Sequence, residues 1–317
     1  MDPELVPALD IFTPPLDVSA SGLAGTRQRI AELTTASMLN LPASVLVEER
    51  MIPALIESPP VRAVIYRPVR ALASMPAVLH IHGGGYVLGS PELAAGAQCA
   101  LVDALGCIVV SVDYRLAPET AYPGSVEDCY CALRWLHSNA AGLGVDVRRI
   151  GVSGESAGGG LAAALALLAR DRGEVPLAFQ HLIYPMIDDR TCIDSEPHTF
   201  TGEFVWTRSQ NRLGWQSLLG AMEVGSAAVP AYAAASRAKD LAGLPPTFIC
   251  VGALDLFLEE NLDYARRLLR AGIPTELHVY PGAIHGFQMA SSASVSVAAE
   301  RDSLNALRRF MRVSQTA

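Results

Sequence analysis

Clustered positive charge is missing from this 317-residue chain, which carries 24 Lys and Arg against 32 Asp and Glu, a formal charge of −8, and no basic run. That balance argues against nucleic acid or an anionic membrane surface as the main partner, since both are gripped through concentrated Lys and Arg. Long apolar runs are missing too. The most apolar stretch, from Gly160 to Ala169, falls well short of the about 20 residues that a membrane-spanning helix needs. The segment Met1-Asp2-Pro3-Glu4-Leu5-Val6-Pro7 has neither the basic nor the apolar region of a secretory signal, so a cytoplasmic protein with no integral membrane association is expected. Paired cysteine motifs are absent as well. Cys99, Cys107, Cys129, Cys131, Cys192 and Cys250 are scattered, with no Cys-x-x-Cys spacing and no histidine partner. Cys129 and Cys131 stand two apart in a helical pattern and so point to different faces. Reduced, mostly buried thiols and no metal site follow.

What the chain has in quantity is hydrophobic residues, half of the total. That supports a large core, either one large α/β domain with an insertion or two smaller domains. Strand-like runs fall at Val61–Tyr66, Ala77–Ile81, Cys107–Val112, Ile150–Ser153, Phe179–Tyr184, Thr247–Val251 and Glu276–Tyr280. Several are continuously apolar, as parallel strands covered on both faces are. Helical patterns near Leu93–Leu105, Val126–Ala140, Ser156–Arg170, Asn261–Ala271 and Val295–Arg312 lie between or after them. This alternation predicts an α/β fold with a mostly parallel central sheet flanked by helices. Val45–Pro53 and Val61–Tyr66 have no helix between them and read as an antiparallel pair. Two segments break the rhythm: residues 1–44, helix-like and proline-bearing, and residues 188–228, inserted after a strand and carrying Phe200, Phe204, Trp206, Trp215 and Met222. Both are expected to form a helical cap at the carboxyl edge of the sheet. The core is then 45–187 and 229–317.

Gly154-Glu155-Ser156-Ala157-Gly158 lies between the apolar run Ile150–Ser153 and the helical Leu161–Leu168. A serine on a sharp strand-to-helix turn is lifted above the sheet edge, and the first amides of the helix stand beside whatever reacts with it. A serine hydroxyl is a poor nucleophile and needs a histidine oriented by a carboxylate. Asp255 follows the strand Thr247–Val251, and His285 follows the strand Glu276–Tyr280. Glu259 and Glu260, one turn further on, compete with Asp255, although their place at the start of a helix suits dipole-complementing carboxylates. An oxyanion formed at an acyl carbon needs fixed donors. His82-Gly83-Gly84-Gly85 at the end of a strand supplies a tight loop, and its Gly83 and Gly84 amides, with that of Ala157, are the candidates. His80 and His82 precede the loop and read as structural, with His82 available to hold it by a hydrogen bond.

His82-Gly83-Gly84-Gly85, Asp113-Tyr114-Arg115-Leu116-Ala117-Pro118-Glu119, Gly154-Glu155-Ser156-Ala157-Gly158-Gly159 and His285-Gly286-Phe287 together resemble the bacterial hormone-sensitive-lipase-like (family IV) esterases of the α/β-hydrolase superfamily. The likeness runs from about residue 45 to the end. It departs from the pattern at Glu155, where many relatives have Asp, and at Asp255-Leu256-Phe257, where Asp-Pro-Leu is common. The resemblance implies an α/β-hydrolase fold with a cap and a serine carboxylesterase working without cofactor or metal. Its substrate is then a small-molecule ester of short to medium acyl chain. A homodimer through an edge strand accords with the resemblance, and no sequence feature forces it. An amidase or peptidase on the same residues, or a ligand receptor that does no chemistry, are the rival readings; a receptor of this kind should have lost one of the three residues, and here all are present. The Asp113–Glu119 stretch reads as structural, its charges bracing one another and the glycine loop. Tyr184, Phe200, Phe204, Trp206, Trp215 and Phe287 are either pocket walls or ordinary core.

Overall fold

A computed structural model describes residues 1–12, 15–38, 41–53, 59–70 and 74–313. Small parts of the expected 1–44 segment, residues 13–14 and 39–40, thus lie outside the described residues. Eight strands form one sheet: β1 (Val45–Ile52), β2 (Val61–Pro68), β3 (Met75–Ile81), β4 (Ile108–Asp113), β5 (Val145–Glu155), β6 (Gln180–Ile183), β7 (Thr247–Gly252) and β8 (Thr275–Tyr280). Their order is β1-β2-β4-β3-β5-β6-β7-β8. β2 runs antiparallel to both of its neighbours, and the remaining pairs are parallel.

The sheet follows from side-chain character. Every residue of β3 and β7 is buried, as strands covered on both faces require. β1 buries only its end residues, Val45 and Ile52, carries Glu48, Glu49 and Arg50 between them, and occupies an edge. β5 begins five residues before the apolar run Ile150–Ser153 because Val145 already pairs with Met75, the register then shifting before Ala77 meets Ile150. Among the described residues, seven α-helices accompany the sheet: α1 (Leu23–Met38), α2 (Ala95–Leu105), α3 (Gly124–Leu143), α4 (Ala157–Arg172), α5 (Arg208–Leu219), α6 (Leu258–Arg270) and α7 (Ser294–Met311). Helices α3, α4 and α6 share one core with Ala77, Leu79 and Ile81 of β3. Helices α2 and α7 share another with Val78 on the opposite face. Two-sided cover explains the continuous hydrophobic strands. α4 is apolar all round and buried from Ala157 to Ala169, so it is the central helix beneath the rest.

The two segments outside the βα rhythm are short helical pieces. Residues 1–44 hold a 3-10 turn, Pro3–Phe12, and α1; residues 188–228 hold a 3-10 turn, Asp189–Cys192, and α5. All six cysteines are buried. Among the described residues, no helix is long and apolar enough to cross a membrane, and no group of three or more His, Cys, Asp or Glu side chains could hold a metal ion.

Candidate active site

β5 passes into α4 through Ser156, whose backbone sits at φ 55 and ψ −120, outside both the strand and the helix regions. A non-glycine residue stays in such a conformation only where its surroundings over-determine it. The Ser156 amide donates to the Ile183 carbonyl at 2.9 Å, and the Ser156 carbonyl accepts from the Gly160 and Met186 amides, each also at 2.9 Å. β6 and α4 therefore grip the turn from both sides.

The loops after β7 and β8 are bonded to each other. The Ala253 amide donates to the Tyr280 carbonyl and the Leu254 amide to the Ala283 carbonyl, each at 2.9 Å. This brings Asp255 beside His285 from 30 residues away in sequence. The His285 Nδ1–H donates to Asp255 Oδ2 at 2.8 Å, and the Ser156 hydroxyl donates to His285 Nε2 at 2.9 Å. The fully buried Asp255 accepts at its other oxygen from the Phe257 amide at 2.9 Å. That second bond fixes the carboxylate plane and so the imidazole tautomer. Edge contacts from Tyr184 (4.7 Å between centroids) and Phe257 (5.1 Å) hold the imidazole. Of the rival carboxylates, Glu259 is exposed to solvent. Glu260 turns away, accepting from the Ile187 and Asp188 amides at 2.7 and 3.2 Å.

The glycine loop completes the arrangement. Gly84 adopts φ +124, and its carbonyl accepts from the Val87 and Leu88 amides at 3.1 and 2.9 Å, closing a tight turn. Gly83 lies against the turn at Ser156: a Cβ added to it would stand 3.5 Å from Ser156 Cβ. Among the described residues, the amides of Gly83, Gly84 and Ala157 donate no hydrogen bond within the protein. Unengaged N–H groups beside a serine are free to donate to negative charge.

His82 does hold the loop, its Nδ1–H donating to the Gly83 carbonyl at 2.9 Å. Burial pushes its pKa down to about 4, so the ring is neutral near pH 7. Tyr114 stacks on that ring at 4.3 Å and donates its hydroxyl proton to the His82 carbonyl at 3.0 Å. The charges of the Asp113–Glu119 stretch, however, do not brace one another. Asp113 pairs with Arg62 on β2, Arg115 with Asp128 on α3, and Glu119 with Arg27 on α1. Each reaches a different element, so the stretch is a junction and not a self-contained clasp.

One contribution carried no mark in the sequence, and a second was left undecided among the six aromatic candidates. Arg27 donates to the carbonyls of Val87 and Ala117, both at 2.8 Å, which ties α1 to the glycine loop. Trp206 abuts the same loop: a Cβ on Gly85 would fall 2.1 Å from its ring, and a Cβ on Gly214 of α5 would fall 2.8 Å from the Gly85 carbonyl. Of the other aromatic side chains, Trp215 and Phe287 are buried core, Phe204 is half-buried and Phe200 is exposed.

Residues 78–289 match the family described as alpha/beta hydrolase fold. The chain is 34% identical to Esterase LipI and 37% identical to Carboxylesterase NlhH, both of Mycobacterium tuberculosis, each match covering 90% of this chain and 88% of the relative. It belongs to the hormone-sensitive-lipase-like esterases of the α/β-hydrolase superfamily. A solved structure titled Bacterial Heroin Esterase superposes on this esterase with a TM-score of 0.92 at 40% identity, covering 98% of both chains. The esterase is accordingly a carboxylic ester hydrolase. Its eight-stranded, mostly parallel sheet is the fold that the sequence motifs imply.

Proposed function

We propose that this esterase cleaves short- to medium-chain acyl esters through a covalent acyl-enzyme intermediate. Ser156 Oγ attacks the ester carbonyl while His285 Nε2 takes its proton. Asp255 keeps the Nδ1 proton in place and stabilises the imidazolium. The Gly83, Gly84 and Ala157 amides receive the tetrahedral oxyanion. His285 then protonates the departing alcohol, and a water molecule, deprotonated by the same nitrogen, releases the acid. The reading rests chiefly on the unbroken chain from Asp255 through His285 to Ser156, with contacts of 2.8 and 2.9 Å, beside amides that have no other acceptor.

Residues 1–44 and 188–228 serve as its cap. Arg27 from the first and Trp206 from the second both rest on the glycine loop, so both borders of the acyl site are formed outside the sheet. The aromatic rings of Trp206 and Tyr184 near the loop and the imidazole favour a limited acyl length. Hydrolysis of p-nitrophenyl acetate, butyrate, octanoate and palmitate by the wild type and by Ser156→Ala tests all of this. Fast turnover of the short esters that disappears in the variant is expected. Turnover surviving in Ser156→Ala removes the serine from its role, and preference for palmitate removes the acyl-length assignment.

A further inference from the structure

The face of the sheet turned towards α2 and α7 carries a row of polar side chains that the reaction above does not use. Ser111 on β4, His80 on β3, Ser153 on β5 and His181 on β6 stand opposite one another in register, all buried. His181 joins Ser153 and Ser303 of α7 at 2.9 and 2.8 Å, which closes that half of the row on itself. His80 does something different. Its Nδ1 meets Ser111 Oγ at 2.7 Å, while its Nε2–H reaches diagonally along β5 to both carboxylate oxygens of Glu155, at 3.0 and 3.2 Å. Burial acts to raise the Glu155 carboxyl, but its electrostatic attraction and hydrogen bond to His80 leave it below the ordinary carboxylate range. Glu155 is therefore an anion at neutral pH, held by a donor that is itself 1% exposed.

The place of this contact gives it meaning. Pairing between β3 and β5 ends at Ile81 opposite Gly154. Beyond that point the two chains part, one to Gly83 and Gly84, the other to Ser156 and Ala157. The distance between those groups decides whether the donors meet the oxyanion, and no ladder bond fixes it. Gly83 packs on the Glu155 carbonyl, 3.0 Å from an added Cβ, so the gap is narrow on one side. The His80–Glu155 pair ties the same two strands one step before they separate.

We infer that His80 and Glu155 are a positioning pair that sets the spacing between the Ser156 hydroxyl and the Gly83 and Gly84 amides, acting on the transition state and not on substrate binding. The inference rests on the proposed roles of Ser156 and the glycine amides. A loosened gap misplaces donors that act only when the oxyanion forms, so kcat falls while KM holds.

The test is steady-state hydrolysis of p-nitrophenyl butyrate by His80→Phe, His80→Gln, Glu155→Gln and Ser156→Ala, with inhibition by a trifluoromethyl ketone whose adduct carries an oxyanion. His80→Phe and Glu155→Gln are expected to lower kcat about 10- to 100-fold, with KM within about twofold of the wild type and ketone affinity falling in step with kcat. His80→Gln, which keeps a donor towards Glu155, should recover most of the loss. Glu155→Gln is nearly isosteric and stands in if His80→Phe does not fold. An unchanged kcat in Glu155→Gln overturns the inference, as does a loss that appears in KM instead, which would make Glu155 a substrate contact. Activity persisting in Ser156→Ala overturns the underlying reading, whatever the other variants do.

Discussion

The sheet and the segments that cover it are built by different means. β3, β5, β6 and β7 are placed largely by burial on both faces, and the glycine loop, Ser156, Asp255 and His285 follow the ends of β3, β5, β7 and β8, where the topology brings them together. The described parts of residues 1–44 and 188–228 add long-range polar ties to their own buried apolar contacts, such as Leu23, Trp206 and Trp215. Arg27 spans to Val87, Ala117 and Glu119. Asp189, fully buried, accepts from the guanidinium of Arg237 at two positions and from the Gly225 amide. Glu260 reaches from α6 to the amides of Ile187 and Asp188 and to the Thr191 hydroxyl. The sheet tolerates exchange among hydrophobic residues of like volume, whereas these buried ion pairs and amide contacts lose their partner with a single substitution.

Four measurements press on that contrast. The largest effect belongs to the sheet side: Asp255→Asn should lower kcat about 10,000-fold with little change in fold, because the amide lets His285 settle in the wrong tautomer. Titrating p-nitrophenyl butyrate turnover against enzyme concentration measures it, and near-normal activity would remove Asp255 from the site. On the cover side, Arg237→Ala strands the buried Asp189 carboxylate, an expected loss of about 3–5 kcal/mol in urea unfolding. A loss below about 1 kcal/mol would show that the cover does not depend on this tie.

The third measurement is acid stability, which falls on the sheet. Burial holds His82 and His181 at about 4, down from 6.5. Both are neutral in the folded protein, and the unfolded chain takes up protons first. Stability is therefore full above pH 6.5 and drains as pH falls towards 4, by about 3 kcal/mol for each histidine. Glu260 works in the opposite sense, because burial pushes its carboxyl well above 4.5 and stability is lost as pH rises from 4.5 through that higher value. Urea midpoints at pH 7 and pH 5 should show the drop, and His181→Gln should flatten it. The smallest effect is expected from Arg27→Ala, about 1–2 kcal/mol for its half-exposed hydrogen bonds, with a larger relative loss in kcat than in stability because they end on the glycine loop. Equal losses in both would make α1 a packing element only.

The same contrast explains what could be read in advance. The seven apolar runs lie on strands of the sheet, and the pair at the amino-terminal end is antiparallel as its short connection demands. Ser156, Asp255 and His285 could be picked out because each follows a strand, and parallel strands carry their following loops to one edge. β6 stops at Ile183, one residue short of the apolar run, because Tyr184 takes φ +35 and turns its ring onto His285. No pattern of hydrophobicity encodes such a turn. Nor does one encode the partners of Asp113, Arg115 and Glu119, which lie 51, 13 and 92 residues away. Charges close in sequence suggested mutual pairing, yet each of the three finds its counter-ion on a different element.

The seat formed by Gly85, Trp206 and Gly214 has a practical consequence for redesign. Directed evolution of acyl preference commonly randomises the aromatic and helical residues above a site. Here a side chain at 85 or 214 would push the indole off the loop, and with it the turn that presents the Gly83 and Gly84 amides. A library that spares positions 85, 206 and 214 leaves that seat in place.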